Sequence, residues 1–354
     1  MVRGRLTQPP DTTEGLLQID AGTGIAFVRE RGVLPWSLVR HGMTGWDGLS
    51  WGRVHYHQVT NYLVPGIRIF TDCRYELCVS ADTWIYSTSG WVRAGDVSVG
   101  VGLLLHKLPD PTGGSGDTAL LDSARILAAV ISCRLGRVKS FRVPQGNVPE
   151  LMQLKQALER TYPEVGSGAR VETRRDTAVF KLSMASWEAC RRTNVMKRVE
   201  MIPKLLWLAG PEVLRELVAT TMDLGATFTR SRVYFRVPTH RMALEFQLVL
   251  WWFGVRAHRI RNPVTCDLVM DLDQYDALMA VARGHDYLRR RLVSWHRLGN
   301  SPVTPDAPLA RFLEGTSIER VRLVEPATFR AVLARMEKGR ALVNGFACSV
   351  RGEW

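Results

Sequence analysis

Two apolar, helix-length runs ninety residues apart constrain this chain more than any other feature. They are Leu127–Leu135 (LAAVISCRL) and Leu217–Gly225 (LVATTMDLG). Ala128 and Ala129 in the first run, and Ala219 with Thr220 in the second, are small enough to let two helices pack backbone to backbone. The segments downstream of the two runs match as well. Arg137–Val143 and Arg230–Val237 read as strands, and helical patterns come after them over Pro149–Tyr162 and Thr239–Phe253. Two β-like runs come next in each half: Ala169–Arg174 with Thr177–Ser183, and Val255–Arg261 with Thr265–Leu272. The order helix, strand, helix, strand, strand, helix therefore occurs twice, over about 120–197 and 210–292. A repeat of this length predicts two copies of one α/β unit facing each other rather than a solenoid.

These runs, with MIPKLLWLAGPEVLRELVATTMDLGATFTRSRVYF at the head of the second half, resemble the paired LAGLIDADG helices of homing endonucleases. The resemblance implies a pseudo-twofold (αβαββα)2 domain over 120–299. In that family each helix ends in an acid followed by glycine, and the two acids hold divalent metal over the scissile phosphates, where Mg²⁺ takes hard oxygen ligands. Carried over by position, the acids fall on Arg134 and Leu224, neither of which can ligate a metal. Asp223 stands one place early, about 100° around a helix, and Asp122 lies more than three turns upstream of the first position. The expectation is an inactive nuclease with no catalytic residue, no metal and no cofactor; Mg²⁺ would be needed only if cleavage survived.

Residues 16–108 read differently. Short β-runs at Ile25–Glu30, Gly52–Tyr56, Ile67–Phe70, Glu76–Ser80, Trp84–Ser87 and Gly100–Leu105 predict a compact all-β unit. Within it, Tyr75–Gly100 (YELCVSADTWIYSTSGWVRAGDVSVG) resembles the central block of Hint domains, the fold of inteins, and FVRERGVLPWSLV resembles the block that comes after an intein's nucleophile. Near the other end, Ala341–Ser349 (ALVNGFACS) resembles the intein tail. Inteins often carry a LAGLIDADG insert between two Hint pieces, which is the order here, so the resemblance implies that 309–354 closes the N-terminal sheet. The splicing residues are replaced. No Cys or Ser lies between Leu16 and Thr23, the block histidine falls on Thr83, and Cys348-Ser349 stands where His-Asn is required. Thr83 cannot serve as a proton donor near neutral pH. Asn344 belongs to an Asn-Gly turn, whose left-handed backbone tolerates it.

The remaining segments read as an N-terminal arm over 1–15, linkers over 109–119 and 300–308, and a tail with a helical pattern at Pro326–Lys338. The expected fold class is α+β: an all-β Hint-like domain plus the duplicated domain. The six cysteines show no CxxC pairing, which points to a reducing compartment. A single HxH, His55 and His57, is a weak zinc signal. No apolar run reaches transmembrane length and the N-terminus lacks a signal-peptide core, so a membrane partner is not expected.

With 47 Lys+Arg against 34 Asp+Glu the formal charge is +13, an excess that points to a polyanionic partner. Alternation along Thr229–Val237 places Arg230, Arg232, Tyr234 and Arg236 on one strand face, as in the DNA-reading saddle that the LAGLIDADG resemblance implies. Arg137 and Lys139 share a face in the first half, with Arg142 on the other. Arg170, Arg174, Arg175, Arg256, His258 and Arg259 add to the surface. Asp267 and Asp271 are a counter-signal, since they would repel phosphate. Trp251, Trp252 and Phe253 read as core, and Trp36, Trp46, Trp51, Trp84 and Trp91 as core or a binding surface. The expected function is an inactive DNA-binding protein on duplex DNA, in the cytoplasm of a bacterium or phage-infected cell and associated with the nucleoid. The alternatives are an active endonuclease with displaced acids (Asp223 with Asp122 or Glu216), or a phage structural or polymerase-associated interaction protein.

Overall fold

A computed structural model describes residues 15–29, 32–106, 117–133, 135, 137–192, 201–263, 265–299 and 316–351. The motif position Arg134, the arm over 1–14 and the linker residues 109–116 and 300–308 lie outside them. The chain divides into two compact units, one formed by Met1–Asp110 with Pro305–Trp354, the other by Pro111–Thr304.

The first unit begins with β1 (Leu17–Asp20), β2 (Ile25–Val28), β3 (Gly32–Pro35), β4 (Thr44–Trp46) and the long β5 (Trp51–Thr71). It continues with β6 (Glu76–Val79), β7 (Trp84–Ser87), β8 (Gly90–Arg93) and β9 (Gly102–His106). The second unit then runs through α1 (Thr118–Cys133), β10 (Ser140–Pro144), α2 (Val148–Thr161), α3 (Pro163–Gly166), β11 (Ala169–Thr173), β12 (Thr177–Leu182) and α4 (Met184–Arg192). Its second half holds α5 (Lys204–Leu208), α6 (Pro211–Gly225), β13 (Thr227–Phe228), β14 (Arg232–Val237), α7 (His240–Trp252), β15 (His258–Arg261), β16 (Cys266–Asp271), α8 (Tyr275–Val281) and α9 (Asp286–Gly299). The first unit resumes with β17 (Thr316–Met336), β18 (Arg340–Val343) and β19 (Phe346–Ser349).

The molecule is thus α+β. The first unit is built on a twelve-stranded sheet in the order β18-β19-β7-β9-β17-β1-β6-β5-β4-β2-β3, with β8 on β7. Its spine is the antiparallel pairing of β5 with β17, carried from Thr71↔Val321 to Val54↔Met336 through three register shifts. Two sequence expectations change here. The runs at Gly52–Tyr56 and Ile67–Phe70 are one strand that continues through Pro65. The helical pattern over Pro326–Lys338 is strand, not helix. Phe329, Val332, Leu333 and Met336 fall at i, i+3, i+4 and i+7, the spacing of an apolar helix face. Yet β17 pairs with β5 and β1, and Ala331–Ala334 are all buried, so here the apolar run fills both faces of a central strand.

The turn joining β18 to β19 locks this sheet. Asn344 and Gly345 both have positive φ (51° and 87°), the backbone of a tight hairpin turn for which Asn-Gly is the preferred pair. Asn344 is buried. Its Oδ1 accepts the Ile25 N–H at 2.7 Å and its Nδ2 donates to the Glu76 carbonyl at 2.6 Å, tying the turn to β2 and β6.

In the second unit each half lays its helices on a small antiparallel sheet, β10-β12-β11 in the first and β13-β14-β16-β15 in the second. The helices α1 and α6 extend about two turns upstream of the apolar runs that announce them, and they pack closely at their C-terminal ends. Ser132 Oγ donates to the Thr221 carbonyl at 3.1 Å, and a Cβ at Gly225 would fall 2.9 Å from that of Ser132. Glycine at this position is what the approach of the two backbones requires. Trp251 and Trp252 are buried in α7.

Asn344→Ala should lower the unfolding free energy by about 2–4 kcal/mol, since two buried groups lose their partner and alanine is strained at positive φ. Asn344→Gly keeps the first loss and relieves the second, so it should recover about 1 kcal/mol relative to alanine. Urea denaturation of the three proteins checks both numbers; equal stabilities for the alanine and glycine variants would contradict the backbone argument.

Candidate nucleic-acid interface

The two small sheets each bury one face and expose the other. In the first, Phe141 stacks on Phe180 across the β10–β12 ladder at 5.1 Å and joins Val143, Ala178 and Leu182 around the core of that half. The opposite face carries Arg142, Arg170 and Lys181, with Glu172 paired to Lys181 at 2.5 Å. This corrects the expected phasing. β10 begins only at Ser140, so the alternation that set Arg137 and Lys139 on one face and Arg142 on the other does not run through. Arg142 is on the solvent face of the sheet. Arg137 and Lys139 precede the strand, both exposed, with Lys139 over the Trp187 ring at 4.9 Å. Arg174 and Arg175 sit exposed in the turn from β11 to β12.

In the second sheet, β14 alternates as expected: Arg232 and Arg236 are exposed and Tyr234 half-buried, while Val233, Phe235 and Val237 are buried. Its ladder with β16 sets Arg232 directly opposite Asp271 and Arg236 opposite Asp267. Both pairs close into ion pairs, at 2.8 and 2.7 Å. His258 reaches the same Asp271 at 3.4 Å, and Asn262 donates to Asp267 at 3.0 Å. The hydrogen bond from Arg236 holds the Asp267 carboxyl below the usual range, and His258 with Arg232 does the same for Asp271. The acids do share the arginine face, where they neutralise part of it.

Three other residues of the expected surface are placed differently. Arg259 points inward and is 2% exposed, beside His240. Arg230 precedes β14 and lies in the turn from β13, off the strand face. Arg256 is half-buried before β15, its backbone N–H bonded to Gln274. Among the described residues, Arg137, Arg142, Arg170, Arg174 and Arg175 make no ion pair. On and around the two sheets, the expected arginines without an ion pair are therefore these five in the first half and Arg230 in the second.

Each of the acids of the helix pair, Asp122, Glu216 and Asp223, is engaged by a cation. Asp122, 1% exposed, accepts from Arg160 Nε at 2.7 Å and Nη2 at 2.8 Å, with Arg125 Nη1 at 3.4 Å. Arg125 Nε donates to Glu216 at 2.7 Å. His285, from the loop before α9, lies between Glu216 (Nε2, 3.3 Å) and Asp223 (Nδ1, 2.5 Å). Burial opposes charge on this ring, but hydrogen bonds to both carboxylates outweigh it and raise its pKa to about 9. Burial likewise opposes ionisation of Glu216, and His285 with Arg125 overcome it, bringing Glu216 to about 2. Asp223 is deeper, and burial raises its pKa despite His285. Leu224, the second motif position, is buried in the core of the first half. Among the described residues no group of His, Cys, Asp and Glu side chains is arranged to hold a metal ion.

In the first unit, Thr83 is buried and hydrogen-bonded through its hydroxyl to Ser80 at 2.9 Å. Cys348 and Ser349 pair with Ile85 and Trp84, one position from Thr83 along β7. Burial raises the Cys348 thiol far above its ordinary value, away from the thiolate that a nucleophile requires. His57, of the HxH pair, contacts the Trp36 carbonyl oxygen at 2.8 Å. The six cysteines are free thiols, and among the described residues no helix is long and apolar enough to cross a membrane.

Of the charge network, the sequence marks Asp122, Glu216 and Asp223 but not their partners. Arg125 stands three residues from Asp122 on one helix face, a local signal. Arg160 and His285 come from α2 and the α8–α9 loop, and no spacing links them to α1 or α6.

No protein-family model matches the sequence, and no curated protein does. Among solved structures the chain is similar to a Ssp DnaB mini-intein variant, at 13% identity and a TM-score of 0.23, covering 27% of this chain and 66% of that one. It is similar to the gp41-1 intein at 14% identity and a TM-score of 0.22, covering 26% and 69%. It is also similar to full-length DUF199/WhiA from Thermatoga maritima at 11% identity and a TM-score of 0.30, covering 55% of this chain and 64% of that one. The chain therefore spans just under two thirds of the first of these and of the last. At these scores the likeness assigns neither family nor function.

A folded-state pKa raised to about 9 from an ordinary 6.5 is worth on the order of 3 kcal/mol, present in full below pH 6.5 and lost as pH rises through 9. His285→Gln should therefore cost about 3–5 kcal/mol at pH 6, by leaving buried Asp223 without its cation and Glu216 with Arg125 alone. Its deficit relative to the parent chain should narrow steadily toward pH 9.5. Denaturant titrations of both proteins across that range measure the difference, and a deficit independent of pH would show that His285 is not charged in the fold.

Proposed function

We propose that this chain is a duplex-DNA-binding protein of intein and LAGLIDADG ancestry, in which cleavage and splicing are both lost. The observation that carries the reading is the charge network of α1 and α6. Asp122, Glu216 and Asp223 are each bound by an internal Arg or His, so their charge is spent inside the protein. A metal ion entering there would have to displace Arg160, Arg125 and His285 from buried carboxylates, each exchange leaving a cation without its partner. Loss of the acids at the motif positions removes the reason for the helix ends to stay open. The same helices still hold the two halves together.

What survives is a basic surface. Arg142 and Arg170 on the first sheet, with Arg137, Arg174 and Arg175 around it, can contact phosphates and guanine edges through planar bidentate donors. The second sheet is charge-balanced by Asp267 and Asp271, so it supports shape and register more than affinity. DNA binding then falls mainly on the first half, with Lys139, Tyr234 and His258 at its margins. The first unit, with its buried Thr83 and Cys348, serves as a scaffold or a protein-binding module.

Two outcomes separate this reading from its rivals. Duplex binding measured over a salt series should weaken steeply, and Arg142→Ala/Arg170→Ala should reduce the slope of log K against log salt by about 2. Arg232→Ala/Arg236→Ala should have a much smaller effect. Asp267→Asn/Asp271→Asn, which frees both arginines, should strengthen binding several-fold. Mg²⁺-dependent nicking of plasmid DNA would instead establish an active endonuclease. No binding even at low salt would leave a protein partner as the role of the basic surface.

A further inference from the structure

Beside α9 lies a cavity of about 830 Å³, within the second unit and apart from the exposed sheet faces. It is lined by Phe228, Thr229 and Arg230 from the β13–β14 turn, by Gly146, and by Tyr287, Arg290, Arg291, Ser294, Trp295 and Leu298 on α9. Its volume is in the range of small-molecule sites.

The wall is aromatic and already ordered. Phe228 meets Trp295 edge-on at 6.2 Å, and Trp295 is 2% exposed. Arg291 lies over the Phe228 ring at 4.1 Å and near that of Tyr287 at 5.7 Å, and donates to the Ala226 carbonyl at 3.1 Å. The Tyr287 ring rests on the backbone of Gly146, where a Cβ would fall 2.3 Å from it, so no other residue at 146 permits this contact. Burial lowers the pKa of Arg291, as expected of a cation enclosed by rings. The other two cations differ. Arg230 and Arg290 are both exposed, and among the described residues neither guanidinium has a hydrogen-bonding or ion-pair partner. None of the described residues that line the cavity is acidic. Arg232 and Arg236, a few residues away, are each matched by an aspartate, whereas these two face the cavity unmatched.

Aromatic walls accept the flat face of a heterocycle, and unmatched guanidinium groups accept a phosphate. We infer that this cavity binds a nucleotide, with the base against the half-buried Tyr287 and Phe228, which Trp295 supports from behind, and the phosphate between Arg230 and Arg290. The shared chemistry has two sources, a free mononucleotide or an unpaired nucleotide of a strand. Neither source requires duplex binding by the sheets.

Calorimetric titration of the full chain with AMP, dTMP and inorganic phosphate, and anisotropy titration with a fluorescein-labelled oligothymidylate, test it. A mononucleotide should bind at least about tenfold more tightly than inorganic phosphate, the difference that stacking of one base supplies. Arg230→Ala/Arg290→Ala should weaken that binding by about tenfold or more, with an unchanged circular dichroism spectrum and melting temperature. Arg142→Ala/Arg170→Ala should leave it untouched while weakening duplex binding. Oligothymidylate binding that is far tighter than dTMP, and is lost in the Arg230→Ala/Arg290→Ala variant, would assign the source to a strand; equal affinities would assign it to the free nucleotide. Equal binding of phosphate and mononucleotide, insensitivity to Arg230→Ala/Arg290→Ala, or no binding of any probe would each overturn the inference.

Discussion

The second unit depends on two helices brought within backbone contact while carrying buried charge. Close packing of α1 on α6 needs small residues at the seam, and Ser132 against Gly225 supplies them at the C-terminal ends. The same two helices carry Asp122, Glu216 and Asp223. Buried carboxylates are tolerable only when paired and hydrogen-bonded. Arg125 pairs across the seam, Arg160 comes from α2, and His285 comes from the loop before α9. The charge network therefore fixes not only the helix pair but also the seating of elements from both halves. It ties the two halves of the second unit together through ion pairs.

The same principle governs the sheet faces. An arginine opposite an aspartate on a neighbouring strand forms a pair that needs no outside partner, whereas an arginine opposite a valine remains available. In β14 the register places Asp271 and Asp267 across from Arg232 and Arg236. In β10 it places Val179 across from Arg142. Two strands that read alike in sequence thus present different surfaces, and the difference is set by the neighbouring strand.

The first unit is held by a different constraint, the length of its central pairing. β17 exchanges hydrogen bonds with β5 on one side and β1 and β9 on the other, and over Ala331–Ala334 its residues are buried irrespective of face. That stretch shows no alternation, and Phe329, Val332, Leu333 and Met336 mimic a helix face by spacing alone. Asn344 illustrates the opposite case. Its Asn-Gly context alone predicts the tight turn, and its buried amide then serves β2 and β6 as well.

Local pattern determined the order of helices and strands in the second unit, the inward and outward faces of β14, the Asn344–Gly345 turn and the burial of Trp251 and Trp252. Each comes from periodicity or turn chemistry within a few residues. The sequence also located the acids of the helix pair, Asp122, Glu216 and Asp223. Tertiary structure decided what those side chains meet. That Asp223 faces His285, that Arg232 is neutralised and Arg142 is not, that Arg259 is buried, and that Arg230 and Arg290 line one cavity with three aromatic rings all depend on strand register and on helices distant in the chain. A residue's type and spacing set what it can do. Only the neighbours brought by the fold decide whether its charge is already satisfied.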